Sequence, residues 1–297
     1  MNDRSLLAGA ADMVFAGSPL DRCEVLRRDP GSLAAAAQQA NARVLHLCKG
    51  DPEVDENGLI WHAIDPSSPE HSEMIFLGKL DGHPLFARSS GPSEQHIPAR
   101  AAAMQMPHRD AAIYGQAKSF LDWHYRHPHC ARCGGRTEMA AGGAKRICSA
   151  CGAEHFPRVD PVVIMLAQHE DKVLLGRQAS WPPGVWSALA GFVEPAETLE
   201  EACARELQEE AGVSVDIAAT RYIFCQPWPF PSSIMVGLVA PALSDELSVD
   251  TQELEAARWF SRDDVCAMLA GTHPHAALPP SIAIARRLAE LWAEDRI

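Results

Sequence analysis

The sequence predicts an α+β fold. Short β-like runs and a few helical segments follow one another without the regular strand–helix–strand alternation of a parallel α/β sheet. The composition, with 47% apolar and 22% charged residues, is that of a soluble globular chain. Two Cys-x2-Cys pairs interrupt the chain near its middle and mark a small separate element. At 297 residues the chain has room for more than one domain. The elements divide it into residues 1–125, 126–157 and 158–297.

In the first block, Arg43–Leu47, Leu59–His62, Met74–Leu80 and Pro84–Ala87 read as strands. The last two flank Asp81-Gly82, and Asp-Gly between apolar runs is a strong hairpin signal. Ala111–Tyr125 reads as a helix, with Ile113, Ala117, Phe120, Leu121 and Trp123 spaced at close to 3.6 residues. Nothing in this block resembles a catalytic pattern, so packing or dimerisation is its expected task. In the third block, strands are expected at Val162–Ala167 and Lys172–Gly176, followed by a Pro-, Gly- and Trp-rich loop over Trp181–Ala190. A helix over Leu199–Ala211 stops at Gly212, the C′ position that favours glycine. Strands at Tyr222–Cys225 and Ile234–Val239 and a helix over Ser281–Glu294 complete the reading.

A formal charge of −13 argues against a protein that grips nucleic acid through a broad basic surface. It leaves room for a phosphate-rich small molecule, because bound cations can supply positive charge. No apolar run approaches the ~20 residues needed to span a bilayer. The opening residues make a poor signal peptide, and Asp295-Arg296-Ile297 is not a peroxisomal tripeptide. A cytoplasmic location without membrane attachment is therefore expected.

Cys130-x2-Cys133 and Cys148-x2-Cys151, with fourteen residues between the pairs, have the spacing of a zinc ribbon. Gly134, Gly135 and Gly152 let the backbone turn beneath the sulfurs. Four thiolates complete a zinc tetrahedron and leave no position for water, so the expected role is structural. Arg132, Arg136, Lys145 and Arg146 lend the ribbon some basic character, and nucleic-acid binding is the competing reading. Cys23, Cys48, Cys203, Cys225 and Cys266 are scattered among apolar neighbours and read as core thiols of a reduced compartment.

Glu206, Glu209 and Glu210 stand at i, i+3 and i+4 of the helix, so their carboxylates share a face. Such like charges repel, and no lysine intersperses them. They make sense as a cage for a hard divalent cation, which prefers oxygen ligands. Leu199, Cys203 and Leu207 supply the opposite, apolar stripe. Glu197 precedes the helix, and a salt bridge to Arg205 would tie the loop to it.

The whole stretch, Gly191-x5-Glu197-x7-Arg205-Glu206-Leu207-x-Glu209-Glu210-x-Gly212-Val213, resembles the Nudix box at all nine specified positions. The resemblance implies an α/β/α sandwich and Mg²⁺- or Mn²⁺-dependent attack of water on a nucleoside diphosphate derivative. It makes Glu206 and Glu210 metal ligands, Glu209 a ligand or base, and the Ala190 carbonyl a further ligand. Downstream, Gln226-Pro227-Trp228-Pro229-Phe230-Pro231-Ser232-Ser233 resembles the substrate array of the NADH pyrophosphatase family, with Cys225 where that family usually carries serine. The preceding zinc ribbon, the Leu189–Pro195 run and Ala16–Arg22 resemble the same family.

That resemblance implies an N-terminal Nudix-like α/β domain, a ribbon and a catalytic Nudix domain, and a homodimer. The implied reaction is hydrolysis of NADH or NAD⁺ to nicotinamide mononucleotide and AMP, or removal of NAD caps from RNA 5′ ends at the same site. Phe156, Phe192, the Gln226–Ser233 strip and the Ala285 backbone are then expected to contact substrate. Glu253 is expected as a distal metal ligand, with Glu255 as fallback. A catalytically idle dinucleotide sensor is the reading from another class, and the intact glutamate trio speaks against it.

Overall fold

The computed structural model describes residues 13–65 and 73–297. The first twelve residues, on which much of the signal-peptide reading rests, lie outside the described residues. The chain divides into two compact units, one built from residues 14–159 with 228–232 and the other from residues 160–227 with 233–297.

In the first unit, helices α1 (Glu24–Arg28) and α2 (Pro30–Ala37) precede the sheet. Pro30 opens α2, and the Asp29 carboxylate accepts from the Gly31 and Ser32 N–H groups, satisfying donors that the helix leaves free. The strands are β1 (Arg43–Cys48), β2 (Asp51–Pro52), β3 (Val54–Asp55), β4 (Gly58–Leu59), β5 (Trp61–Ala63), β6 (Ile75–Leu80) and β7 (His83–Ser89). The sheet order is β2-β1-β7-β6 with β5 also on β1, and β1 runs parallel to β7.

The Asp81-Gly82 hairpin forms as expected, with φ of 51° and 82°, the doubly left-handed turn that matches strand twist. The single strand expected over Leu59–His62 is two short strands, broken at Ile60. Helices α3 (Ala99–Gln105) and α4 (His108–Arg126) follow. α4 begins three residues earlier than its apolar spacing suggested, directly after Pro107. Residues 111–118 are all buried, and α4 packs on β6 and β7. The buried face is therefore broader than one stripe. Strands β8 (Thr137–Ala140), β9 (Lys145–Cys148) and β10 (Glu154–His155) form the antiparallel ribbon.

The second unit contains β11 (Asp160–His169), β12 (Lys172–Arg177), β13 (Leu189–Phe192), α5 (Leu199–Ala211), β14 (Arg221–Trp228), β15 (Ser233–Pro241), β16 (Ala256–Ser261), α6 (Arg262–Leu269) and α7 (Ile284–Ala293). Its mixed sheet has the order β14-β15-β11-β12-β16, with β13 on β11. β11 pairs parallel with β15 and antiparallel with β12 and β13.

Side chains alternate across β11. Val163, Met165 and Ala167 join Cys203, Leu207 and Ala211 of α5 in one core. Val162, Ile164 and Leu166, buried on the other face, look towards the side on which α7 meets β11 and β15. This is the α/β/α sandwich. Among the described residues, no helix is long and apolar enough to cross a membrane.

Candidate active site

Helix α5 is held at both ends. Thr198 Oγ1 accepts from Glu201 N while the Glu201 carboxylate accepts from Thr198 N, a capping box. At the C-terminus Gly212 adopts φ 70°, and a β-carbon there would meet Ser248 at 2.7 Å.

The ends fix where the glutamates stand, and they do not stand alike. Glu206 and Glu210 turn towards the sheet and are largely buried, whereas the Glu209 side chain is 61% exposed. The Glu210 carboxyl is pushed up to about 8, first by burial and then by the charges of Glu206, Glu253 and Glu209. Burial also raises Glu206, although Arg205 opposes it. Glu210 Oε2 is buried with no hydrogen-bond partner.

Strand β13 closes the cage from the other side. A β-carbon on Gly191 would fall 1.8 Å from the Glu206 carboxyl carbon, so only glycine lets the backbone beside Ala190 approach that carboxylate. Glu253 contributes charge to Glu206 and Glu210. The fallback, Glu255, is taken up by Arg177, whose Nη2 lies 2.7 Å from its carboxylate. Glu255 is thus held in a salt bridge, whereas Glu253 acts electrostatically on Glu206 and Glu210.

The expected Glu197–Arg205 bridge is present and bidentate, with Nε and Nη2 of Arg205 donating at 2.8 and 3.0 Å. Arg205 also donates to Glu206 at 2.7 Å, to Glu209 at 3.1 Å and to the Phe192 carbonyl at 2.8 Å. One guanidinium therefore ties loop, helix and β13 together, and the Phe192 ring stands exposed beside it.

Orphaned, desolvated carboxylates of like charge are costly unless a cation compensates them. The site fits a hard divalent cation. Glu206, Glu210 and Glu253, with the Ala190 carbonyl, would hold it, and Glu209 stays accessible.

The proposed substrate strip divides. The Gln226 side chain is fully buried, its Nε2 donating to the Ile282 carbonyl and its Oε1 accepting from Ile284 N. Gln226 therefore caps α7 and holds the turn before Ala285, which is itself buried. Pro227 is exposed and Ser233 half-buried. Trp228, Pro229, Phe230, Pro231 and Ser232 fall in the first unit. There the Trp228 and Phe230 rings meet edge to face at 5.0 Å, with Phe15 against both. The Arg100 guanidinium lies 5.7 and 5.1 Å from the two ring centroids, within cation–π range. Neither Phe15 nor Arg100 was identified from the sequence, because only the fold brings them to the strip. Phe156 is exposed after β10.

In the ribbon, the four cysteine sulfurs lie within 4.8 Å of one another, with pairs at 3.4, 3.5 and 3.8 Å. A zinc–sulfur bond of about 2.3 Å places tetrahedral sulfurs roughly 3.8 Å apart, so the quartet fits zinc. Backbone N–H groups of Cys151 and Ala150 draw the Cys148 thiol down to about 7. His155 Nε2 lies 3.2 Å from Cys130 Sγ. Two of the ribbon's basic residues are already engaged, Lys145 with Glu154 and Arg146 with Thr137 and His124. This weakens the nucleic-acid reading of the ribbon.

Comparison with known families agrees with this geometry. Residues 157–280 match the NUDIX domain, residues 126–156 the NADH pyrophosphatase zinc ribbon domain, and residues 21–123 the NADH pyrophosphatase-like rudimentary NUDIX domain. A Mycobacterium bovis protein, NAD-capped RNA hydrolase NudC, is 37% identical over 92% of each chain. The chain belongs to the NADH pyrophosphatase family of Nudix hydrolases.

Human NAD-capped RNA hydrolase NUDT12 is 41% identical over 84% of this chain, and the match covers 54% of its own length. The chain therefore spans about half the length of that relative. A solved NUDIX hydrolase from Nitrosomonas europaea is 29% identical, with a TM-score of 0.40 over 46% of this chain and 78% of its own.

Proposed function

We propose that the chain hydrolyses the pyrophosphate of NADH and NAD⁺, giving AMP and nicotinamide mononucleotide. The observation that carries this reading is the unpartnered Glu210 oxygen, buried among Glu206 and Glu253 where a divalent cation would compensate it. That cation, Mg²⁺ or Mn²⁺, supplies charge neutralisation on the phosphates and a more acidic water. Glu206, Glu210, Glu253 and the Ala190 carbonyl would hold it. A bond forms between the water oxygen and one phosphorus while the bridging P–O bond breaks, and the water proton passes to a carboxylate. Glu209, exposed and tethered by Arg205, is free to take that proton. Phe192, exposed beside Arg205, offers a flat surface for nicotinamide or adenine.

The family's zinc ribbon description supports an NADH-type substrate. The names of the mycobacterial and human relatives support a second reading, removal of NAD caps from RNA at the same site. Both use one bond and one cage. The chain works in the cytoplasm as a homodimer on this reading, with the ribbon zinc taking no part in the chemistry.

The test compares NADH, NAD⁺, ADP-ribose, diadenosine phosphates and NAD-capped RNA as competing substrates, with Glu210→Gln as control. The variant folds normally and turns over more slowly by orders of magnitude. Equal turnover by wild type and Glu210→Gln would remove Glu210 from the mechanism. Activity on capped RNA that falls steeply with salt, beside salt-insensitive NADH cleavage, would indicate phosphate-backbone contacts beyond the dinucleotide.

A further inference from the structure

Outside the cage and the ribbon, the described residues contain one further group of metal-ligating side chains that converge: His46, Glu53 and His62. It lies wholly within the first unit and belongs to neither the catalytic machinery nor the ribbon. Glu53 is 5% exposed. Its Oε2 lies 2.6 Å from His62 Nε2 and 3.7 Å from His46 Nδ1, and the three ligand atoms all fall within 4.8 Å of one another.

His46 comes from β1, His62 from its antiparallel partner β5, and Glu53 from the segment between β2 and β3. The pairing Val44↔His62 sets the two histidines diagonally across the strands, on one face. Their rings stack at 4.1 Å with 9° between planes. On the far side, Glu53 Oε1 accepts from Ser93 Oγ at 2.6 Å and faces His96 Nε2 at 3.9 Å.

One buried carboxylate needs two or three donors, and Ser93 with His62 already supplies two. Two further imidazoles exceed that need. Mixed imidazole and carboxylate donors suit zinc-type ions, whereas Mg²⁺ and Ca²⁺ favour oxygen alone. We propose that His46, Glu53 and His62 form a second, exchangeable metal site that takes one divalent transition ion of the zinc type, with His96 as a hydrogen-bonding outer partner.

The protons set its character. Arg88 Nε donates to His46 Nε2 at 3.1 Å, which leaves the His46 proton on Nδ1. Capture of the ion moves the His46 proton from Nδ1 to Nε2 and the His62 proton from Nε2 to Nδ1, turns Arg88 off the ring, and replaces the His62–Glu53 hydrogen bond. Those costs make the site weaker than the four-thiolate ribbon, hence exchangeable.

The full chain, with its ribbon zinc, is dialysed to equilibrium against micromolar Zn²⁺ with millimolar Mg²⁺ to fill the glutamate cage, and bound zinc is counted by mass spectrometry. Wild type is expected to hold one zinc more than Glu53→Gln and one more than His62→Ala, while all three keep the ribbon ion. His62 is 34% exposed as a side chain, so its replacement keeps the test open if Glu53→Gln fails to fold. Equal zinc in wild type and His62→Ala would overturn the proposal, as would a wild type holding ribbon zinc alone.

Discussion

Burial and neighbouring carboxylates favour a proton on Glu210, which a cation bound as proposed would replace. Its pKa stands at about 8 against 4.5 for an ordinary glutamate. A folded-state pKa above the unfolded one favours folding below the unfolded value, and that contribution is lost as pH rises towards the folded one. The protein without added Mg²⁺ is therefore expected to lose thermal stability between about pH 4.5 and pH 8. Millimolar Mg²⁺ should offset the loss at the upper end, and Glu210→Gln should flatten the profile in melting curves. At Gly191 the constraint is space. Gly191→Ala drives a β-carbon into the Glu206 carboxylate, so kcat should fall at least ~10-fold, the effect of about 1.4 kcal/mol on the barrier. Undiminished kcat would show that β13 can shift without disturbing the cage.

At the scale of the element, α5 is held at both ends and carries the candidate glutamates between them. Thr198→Ala removes one member of the capping box and should lower stability by about 1 kcal/mol, with kcat nearly unchanged because the glutamates lie beyond the first turn. Gly212→Ala meets two penalties, a left-handed backbone and Ser248, so it should cost more than Thr198→Ala. Urea unfolding of both variants tests the order. α5 was legible in the sequence to the residue, because apolar stripe and terminal glycine agree. The last helix was not. It starts at Ile284 rather than Ser281, because its first N–H is satisfied by Gln226, distant in the sequence.

At the scale of the molecule, the ribbon zinc and the proposed cation among the glutamates are expected to have separate tasks. Cys148→Ser should release the ribbon zinc and lower the melting temperature, measured alongside metal content. Excess Mg²⁺ should not restore it, since thiolate sites do not suit that ion. Retained zinc with unchanged melting would mean that three thiolates suffice.

The sequence by itself determined the box, the ribbon and the chemistry they imply, because those signals depend on local spacing. Glu206, Glu209 and Glu210 share a helix face whatever surrounds it, and two Cys-x2-Cys knuckles pair wherever the ribbon folds. Tertiary structure alone decided which carboxylates are desolvated, Glu206 and Glu210 but not Glu209. It also paired Glu255 with Arg177 and set the charge of Glu253 near Glu206 and Glu210. The same holds for Phe15 and Arg100 against the aromatic strip, and for the histidines around Glu53. Burial and long-range pairing are set by how strands register and helices pack, and neither leaves a periodic trace in the chain.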